Sequence, residues 1–377
     1  MPRGHRRPVT GAREPMRQRS AAWRLPSGTR VLGWVRHGHV RPMVLGLAVL
    51  LLTIVVATSV GPVSIAPGDT VRIVMSHLGL PVSGVDEGGT HDRIIWDVRL
   101  PRVLTAALVG ATLALAGSAY QAVFRNPLAD PYLIGVAAGA GLGATIAIVS
   151  PLPMDLYGFG YIAMFAFLGA MAAVALTYEL ARVGRVVPPT THVLAGIAVS
   201  AAAGAATSLL MMLNEDRIFV IFSWLYGDFT TANWDRLGTI LPYVLVCMVI
   251  LMLASRQLNV LQLGEDEART LGVRVEVLKV VTIVTASLAT AVCVAISGLI
   301  GFVGLVVPHI CRMLFGPDHR MLFPMSLIVG AICLVIADVG ARTVLAPQEI
   351  PVGILTAAVG APFFLFLLRR QRKAAGL

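Results

Sequence analysis

Charged residues are scarce in this chain. Asp, Glu, Lys and Arg together make up 13% of its 377 residues, whereas hydrophobic residues make up 56%. The charged share of an ordinary soluble domain is about twice as large. A mean hydropathy of +0.80 agrees with this composition. Because helices satisfy their own backbone inside a bilayer, the sequence predicts an all-α protein that crosses a membrane many times.

Lysine is almost absent, and its absence excludes one common chemistry. The two lysines are Lys279 and Lys373, and neither follows a glycine. A GxxxxGK[ST] phosphate-binding loop is therefore impossible in this chain. The net charge of +10 does not indicate nucleic-acid binding, because the basic residues flank apolar runs and do not alternate with exposed aromatic residues. We expect no nucleic-acid partner and no nucleotide hydrolysis by that loop.

Cysteine and histidine are few and dispersed. The four cysteines lie in or beside apolar segments and lack CxxC spacing. This pattern predicts small buried hydrophobic residues and not disulfides or metal ligands. His309 and His319 flank Arg312, a setting unsuited to a metal. No catalytic constellation is visible. We expect no metal, no cofactor and no enzymatic activity in this chain.

Residues 1–42 differ in composition from the rest. They hold ten Arg and no Lys, and they contain too few apolar residues to form a core. The sequence predicts a disordered cytoplasmic tail over 1–42, a transmembrane domain over 43–370 and a short cytoplasmic tail over 371–377.

Eight apolar runs are long enough to cross a hydrocarbon core of about 30 Å. They cover residues 43–60, 103–124, 132–150, 161–181, 192–213, 237–254, 322–341 and 350–368. The stretch 280–307 also lacks charge, with Ser297-Gly298 and Gly301 as candidate breaks. Both arginine-rich ends should be cytoplasmic, which requires an even number of crossings. The sequence therefore predicts ten transmembrane helices, with a short pair inside 280–307.

Small residues recur every four positions in two of these runs. Gly135, Gly139 and Gly143 form one stripe, and Gly196, Ser200 and Gly204 form another. Such stripes let helix backbones approach closely in a membrane. We expect both faces to lie inside the bundle or along a pathway.

A polar interruption separates two spans at residues 255–279. Gly264 and Gly272 bracket the segment Glu265, Asp266, Glu267, Ala268, Arg269, Thr270 and Leu271. Acids at its front and an arginine near its end suit the dipole of a short helix. A simple turn needs far fewer residues, so this helix either contacts a partner outside the bilayer or lies solvated at its surface. Spacing alone leaves both interpretations open.

One acid, Asp338, falls deep within an apolar run, and Arg342 follows it one helical turn later. Ion-coupled transporters usually hold ionisable groups near the midplane. Because Arg342 is placed to neutralise Asp338, the pair indicates a structural contact more than a proton relay. The cargo is then not expected to be a bare ion.

Five motifs spread over about residues 99–368 resemble a known family. They are Arg99-Leu100-Pro101-Arg102, GATLALAGSAYQAVFRNPLADPYLIGVAAGAGLGA from Gly110, LGEDEARTLGV from Leu263, GLIGFVGLVVPHICR from Gly298 and EIPVGILTAAVGAPFF from Glu349. This set resembles the FecCD-type permease subunits of ABC importers for iron-siderophore complexes, haem and cobalamin. The resemblance implies a ten-span subunit of a bacterial or archaeal cell membrane. It also implies a dimer with a second permease subunit, two ABC ATPase subunits and an extracytoplasmic solute-binding protein.

The resemblance also assigns roles to residues. The segment that would couple to the ATPase comprises Gly264, Glu265, Asp266, Glu267, Ala268, Arg269, Leu271 and Gly272. A cytoplasmic gate would comprise Asn126, Leu128, Thr190 and Thr191, with plain loops as the alternative. Docking of the solute-binding protein would use Arg99, Arg102 and Arg342. The competing account is that Arg99 and Arg102 only anchor their span while Arg342 only neutralises Asp338.

The sequence thus favours a permease subunit that imports a metal chelate, with an iron-siderophore complex as the preferred cargo. Haem and cobalamin are alternative cargoes within the same family. A solitary ion-coupled secondary transporter or channel is the alternative from another class, and the scarcity of intramembrane charge disfavours it.

Overall fold

The structure is a computed structural model that describes residues 40–84, 88–151, 155–156, 159–182 and 189–374. Most of the predicted N-terminal tail, residues 1–39, lies outside this part of the chain, as do the last three residues. The first helix begins at Val40 and the last ends at Ala374. Helix therefore extends a few residues into both predicted tails.

The described residues form fourteen α-helices and one minimal hairpin. The helices are α1 Val40–Ser59, α2 Pro67–His77, α3 Thr90–Arg93, α4 Leu100–Val123, α5 Val136–Val149, α6 Tyr161–Ala181, α7 Pro189–Leu213, α8 Ile218–Tyr226, α9 Trp234–Leu261, α10 Glu265–Thr270, α11 Val275–Ser297, α12 Val303–Phe315, α13 His319–Thr343 and α14 Val352–Ala374. A π-helical segment, Ile94–Arg99, joins α3 to α4, and two 3-10 turns cover Pro131–Ile134 and Glu215–Arg217. The antiparallel strands β1 (Asp155–Leu156) and β2 (Phe159–Gly160) have two residues each.

Seven helical segments of the described chain are long and apolar enough to cross a membrane. Three shorter apolar helices accompany them, at Val136–Val149, Val303–Phe315 and Val352–Phe366. This confirms the predicted all-α membrane fold, with short extra helices such as α10 and α8 between the apolar ones. Length and composition do not establish that all three shorter helices cross, so the count of ten stays a prediction.

The uncharged stretch 280–307 divides where the glycines suggested. Helix α11 ends at Ser297, and Gly298 has a φ of +66°, a conformation that glycine adopts without strain. Helix α12 begins at Val303 after five residues. The expectation of two short helices is wrong for α11, which has 23 residues. It starts at Val275, inside the stretch predicted as a polar interruption.

Helix α4 runs through the centre of the bundle, and nearly all of its residues are buried. It packs against α13, α12, α11 and α9. A methyl group on Gly110 would overlap the carbonyl of Gly330 on α13, and one on Gly117 would overlap the carbonyl of Gly304 on α12. Glycine at these crossings lets backbones touch, which maximises van der Waals contact where no water drives association.

The first predicted glycine stripe is confirmed. Side chains at Gly139 and Gly143 of α5 would collide with the backbone of Gly169 and Phe165 on α6. The second stripe has no such neighbour at Gly204, where an added methyl group would meet nothing within 4 Å. The face of α7 that carries Gly204 is therefore exposed in the described part of the chain.

Candidate functional site

Helix α10 is a separate, capped turn between α9 and α11. It begins after Gly264, whose φ of +139° disfavours other residues, and it is followed by Gly272 at a φ of +84°. Three acids occupy its first turn and Arg269 its last, so both ends complement the helix dipole. The helix predicted from Glu265 onward is thus present.

Ion pairs attach α10 to the beginning of α11. Arg269 lies 3.0 Å from Asp266, 3.6 Å from Glu265 and 3.3 Å from Glu276, the last of these on α11. Lys279 Nζ lies 2.7 Å from Glu265 Oε1. These charges form a network, which holds geometry better than an isolated surface pair does.

The same helix presents apolar side chains to its surroundings. Ala268 is fully buried and fixes the inner face of α10, whereas Leu271 is 63% exposed. Leu263, just before the helix, is 66% exposed. Two protruding leucines beside a charged, rigid helix suit contact with a partner protein.

The residues predicted as a gate lie in two places that approach each other. Asn126 and Leu128 form a tight turn after α4, in which the Leu128 N–H donates to Asn126 Oδ1 at 3.0 Å. Thr190 and Thr191 lie in the first turn of α7. The Phe124 ring lies 5.7 Å from the ring of His192, so the chain segments that carry the two pairs are in contact. Their role as a gate stays a prediction.

Sequence reasoning did not single out His192. Its side chain is fully buried, and neither ring nitrogen has a hydrogen-bond partner among the described residues. The rings of Phe124 and Tyr178 meet it edge-on. A lone histidine directly after the predicted gate threonines was the available signal.

At the opposite end of the bundle, Arg99 holds the end of α1. Its guanidinium is 5% exposed and donates to the carbonyls of Thr58 at 3.2 Å, Ser59 at 2.9 Å and Val63. Fixed carbonyls at the C-terminal end of a helix attract a cation. All of these partners belong to the same chain.

Arg102 and Arg342 share the buried carboxylate of Asp338. Arg102 Nη2 lies 2.9 Å from Asp338 Oδ1 and 2.9 Å from Glu349 Oε2. Arg342 Nε lies 3.0 Å from Asp338 Oδ2 but directs its N–H to the Asp338 carbonyl, and its other nitrogens donate to Val60 and Ala57. The predicted pairing of Asp338 with Arg342 is present, and Arg102 joins it.

This geometry bears on the docking residues without testing their role. All three guanidiniums have intramolecular partners, and the three residues are at most 8% exposed. The anchoring account therefore gains support, and docking stays a prediction. Sequence reasoning missed Glu349, although it opens one of the recognised motifs and its side chain is 39% exposed.

The described residues contain no group of three or more His, Cys, Asp or Glu able to hold a metal ion. The arrangement instead combines a capped helix at one end, a buried charge cluster at the other and close-packed apolar helices between them.

The sequence profile of the FecCD transport family matches residues 49–370. Among related proteins, the cobalamin import system permease protein BtuC of Halobacterium salinarum is 42% identical over 78% of this chain and 77% of its own length. The hemin transport system permease protein HmuU of Yersinia pestis is 39% identical over 89% and 98%. A probable siderophore transport system permease protein, YfiZ of Bacillus subtilis, is 38% identical over 76% and 85%.

Comparison with solved structures agrees. An ABC transporter assigned to the metal-chelate type, in an inward-facing conformation, matches with a TM-score of 0.75 at 34% identity. The match covers 87% of this chain and 99% of that one. The family profile spans most of the chain, and long relatives exceed 30% identity. The chain therefore belongs to the FecCD transport family.

Proposed function

We propose that this chain is the membrane-spanning permease subunit of an ABC importer that carries a metal chelate. The observation that carries the proposal is the structure of α10. This capped helix is attached to α11 by side-chain ion pairs, and the exposed Leu263 and Leu271 flank it. An ATPase that holds such a helix would move α9 and α11 with it. Membership of a transport family supports a subunit without catalysis of its own.

The proposed assembly contains a second permease subunit, two ABC ATPase subunits at the α10 end and an extracytoplasmic solute-binding protein at the other end. Both termini would then be cytoplasmic, in a bacterial or archaeal cell membrane. Exposed apolar side chains along α7, including Leu194, Ile197 and Leu209, leave that helix free to face lipid or a second permease subunit.

For the cargo, we propose an iron-siderophore complex. Relatives that carry hemin and cobalamin are about as similar as the siderophore relative, so haem and cobalamin are the alternatives. The solute-binding protein selects the cargo in such systems. Titration of the cognate binding protein with a ferric siderophore, haemin and cobalamin will discriminate among them, and tight binding of only haemin or only cobalamin would reject the siderophore.

A secondary transporter is disfavoured by a specific contact. A buried acid is one candidate for its proton or sodium site, and Asp338, the acid within α13, is already paired with Arg102 and Arg342. Two guanidiniums neutralise this carboxylate, which is the arrangement of a buried structural ion pair.

Reconstitution tests the function directly. The chain is co-expressed with the ATPase and binding-protein genes, purified and placed in liposomes. We expect the ATPase to co-purify with the chain. Uptake of cargo into the liposomes should require ATP on the side of the membrane that carries the ATPase. Uptake that follows a proton or sodium gradient without ATP would reject the importer.

A further inference from the structure

A cavity of about 460 Å³ opens at the end of the bundle opposite α10. The ends of α5 and α11, helix α8 and the beginnings of α6 and α9 surround it. Small-ligand sites occupy about 300–1,000 Å³. The volume therefore suits a bound molecule.

One wall of the cavity is apolar. Ile148, Ile162, Ala163 and Ile296 contribute it, and the aromatic side chain of Trp224 adds to it. These residues belong to apolar helices of the bundle. A ligand with a hydrocarbon part would find a matching surface here.

The lining also carries one acid and one base. Asp228 Oδ1 accepts hydrogen bonds from the Thr230 N–H at 2.9 Å and from its hydroxyl at 2.5 Å, which fix the carboxylate. Arg236 lies in the first turn of α9. Its side chain makes no hydrogen bond or ion pair within the described chain, with Asp228 or any other residue. Both charges line the cavity, and the Asp228 carboxylate forms no ion pair with a cation of the described chain.

The cavity lies at the level expected for lipid headgroups. Trp234 begins α9 two residues before Arg236, and its indole N–H donates to the carbonyl of Trp96 at 2.8 Å. The two indole rings are 4.9 Å apart. Tryptophan is enriched where the bilayer meets water, so this pair marks the interface.

We propose that this cavity binds a phosphatidylethanolamine molecule of the surrounding bilayer. Arg236 takes the phosphate, because its planar fork matches two phosphate oxygens. Asp228 accepts hydrogen bonds from the primary ammonium, and the glycerol and upper acyl region follow the apolar wall. The proposal concerns the protein's lipid partner and does not depend on the proposed cargo or on any partner subunit.

Charge complementarity selects this lipid over others. Phosphatidylcholine carries the same charges, but its quaternary ammonium has no N–H to donate to Asp228. Phosphatidylglycerol has a phosphate for Arg236 but brings only negative charge toward the Asp228 carboxylate. The cavity thus discriminates by the headgroup's hydrogen-bond donors and by its positive charge.

Native mass spectrometry of the purified full-length chain tests the proposal. The protein is delipidated and then offered phosphatidylethanolamine, phosphatidylcholine and phosphatidylglycerol separately, each with the same acyl chains. We expect one phosphatidylethanolamine to be retained per chain, with the other two bound more weakly. Arg236→Gln should weaken retention about tenfold, as the loss of one charge-assisted contact predicts. Arg236→Lys should retain only part of the binding, because the ammonium keeps the charge but cannot form two parallel hydrogen bonds to the phosphate.

Asp228→Asn should leave phosphate recognition and abolish the preference for phosphatidylethanolamine over phosphatidylglycerol. The matched control is Arg217→Gln, which removes a half-exposed arginine outside the cavity and should change nothing. Melting temperatures equal to wild type will show that the variants are folded.

Three results would overturn the proposal. They are equal retention of the three lipids by the wild-type chain, wild-type retention in both Arg236→Gln and Asp228→Asn, and displacement of the lipid by equimolar soluble phosphoethanolamine. The last result would mean that a free headgroup suffices and that the occupant is not a bilayer lipid.

Discussion

The buried carboxylate of Asp338 lies between the guanidiniums of Arg102 and Arg342 and offsets their positive charge. Removing one partner of a buried ion pair typically costs about 3–5 kcal/mol, since the remaining charges stay buried without compensation. We expect Asp338→Asn to lower the melting temperature of the detergent-solubilised chain strongly. The reason is that Arg102 and Arg342 would then face each other with only Glu349 nearby.

The control for Asp338→Asn is Asp69→Asn. Asp69 pairs with Arg72 at 3.3 Å, and both side chains are more than half exposed. Exposed pairs contribute little, so this variant should melt as wild type does. If Asp338→Asn and Asp69→Asn melt at the same temperature, the buried cluster contributes no stability.

Asp130 leads to a prediction about how the stability of the chain depends on pH. It lies between α4 and α5, where burial raises the pKa of its carboxyl to about 6. The folded chain then holds a proton that the unfolded chain releases at lower pH, so stability falls as the pH rises through the window from about 4 to 6. We expect Asp130→Asn to flatten the melting temperature across this window. In the wild-type chain the Tyr132 N–H donates to Asp130 Oδ1 at 2.8 Å, and the side-chain oxygen of the asparagine can accept the same hydrogen bond.

Asp216→Asn serves as the control, because that acid is exposed. It should retain the wild-type dependence on pH. A wild-type slope in Asp130→Asn would show that Asp130 ionises normally.

Single residues were predictable from sequence only when their partners are near in the chain. Asp338 and Arg342 lie one helical turn apart, and their pairing follows from helix geometry. Arg102 meets the same acid across 236 positions, and it meets Glu349 across 247. Nothing local signals such contacts, so the burial of Arg99, Arg102 and Arg342 was not foreseen.

Among the helices, α10 is predicted to couple the chain to the ATPase, and this role can be tested by substitution. Glu267 is exposed, and its carboxylate takes part in no ion pair of the described structure, so Glu267→Arg changes the surface of α10 without breaking its attachment to α11. We expect this variant to insert and melt as wild type, to retain the ATPase and to lose most ATP-driven uptake. Asp216→Arg at the other end should leave uptake unchanged.

Arg269→Glu complements that experiment. It breaks the contacts with Glu265, Asp266 and Glu276 together, so it should uncouple uptake and also loosen α10. Wild-type uptake and ATPase stimulation in both Glu267→Arg and Arg269→Glu would reject α10 as the coupling element.

The gate prediction concerns the turn after α4 and the foot of α7. We expect Leu128→Ala to increase leak of cargo from loaded proteoliposomes, because it shortens a half-buried side chain beside the proposed pathway. Larger side chains at Thr190 and Thr191 should slow uptake instead. Capture of the binding protein should not change. If leak and uptake stay at wild-type values in every variant, these residues form ordinary loops.

The elements themselves were predictable to different degrees. Helix α10 followed from its glycines and from the order of its charges, which are local signals. The beginning of α11 was missed because Glu276 and Lys279 appear as loop residues on a hydropathy scale. In the structure both residues belong to α11, where Lys279 reaches Glu265 at 2.7 Å and Glu276 reaches Arg269 at 3.3 Å. Hydropathy marks the part of a helix inside lipid and not where the helix ends.

At the scale of the whole molecule, docking of the solute-binding protein depends on the end of the bundle that carries Arg99, Arg102 and Arg342. The resemblance predicts that these arginines meet acids on the two lobes of that protein. In the structure each guanidinium already has partners within the chain. Docking through them would therefore exchange internal contacts for the partner's carboxylates.

Two measurements on the same variants separate docking from anchoring. Charges at an interface act mainly on association rate and salt dependence. If the arginines dock, Arg99→Gln and Arg342→Gln should weaken binding of the solute-binding protein and flatten its dependence on salt, while the ATPase still assembles. If they only anchor helices, both variants should lower the melting temperature and leave the salt dependence unchanged. Arg217→Gln, which removes an exposed arginine of the same end, controls for net charge. We predict the first pattern, and docking at wild-type strength in both low and high salt would assign Arg99 and Arg342 to the scaffold.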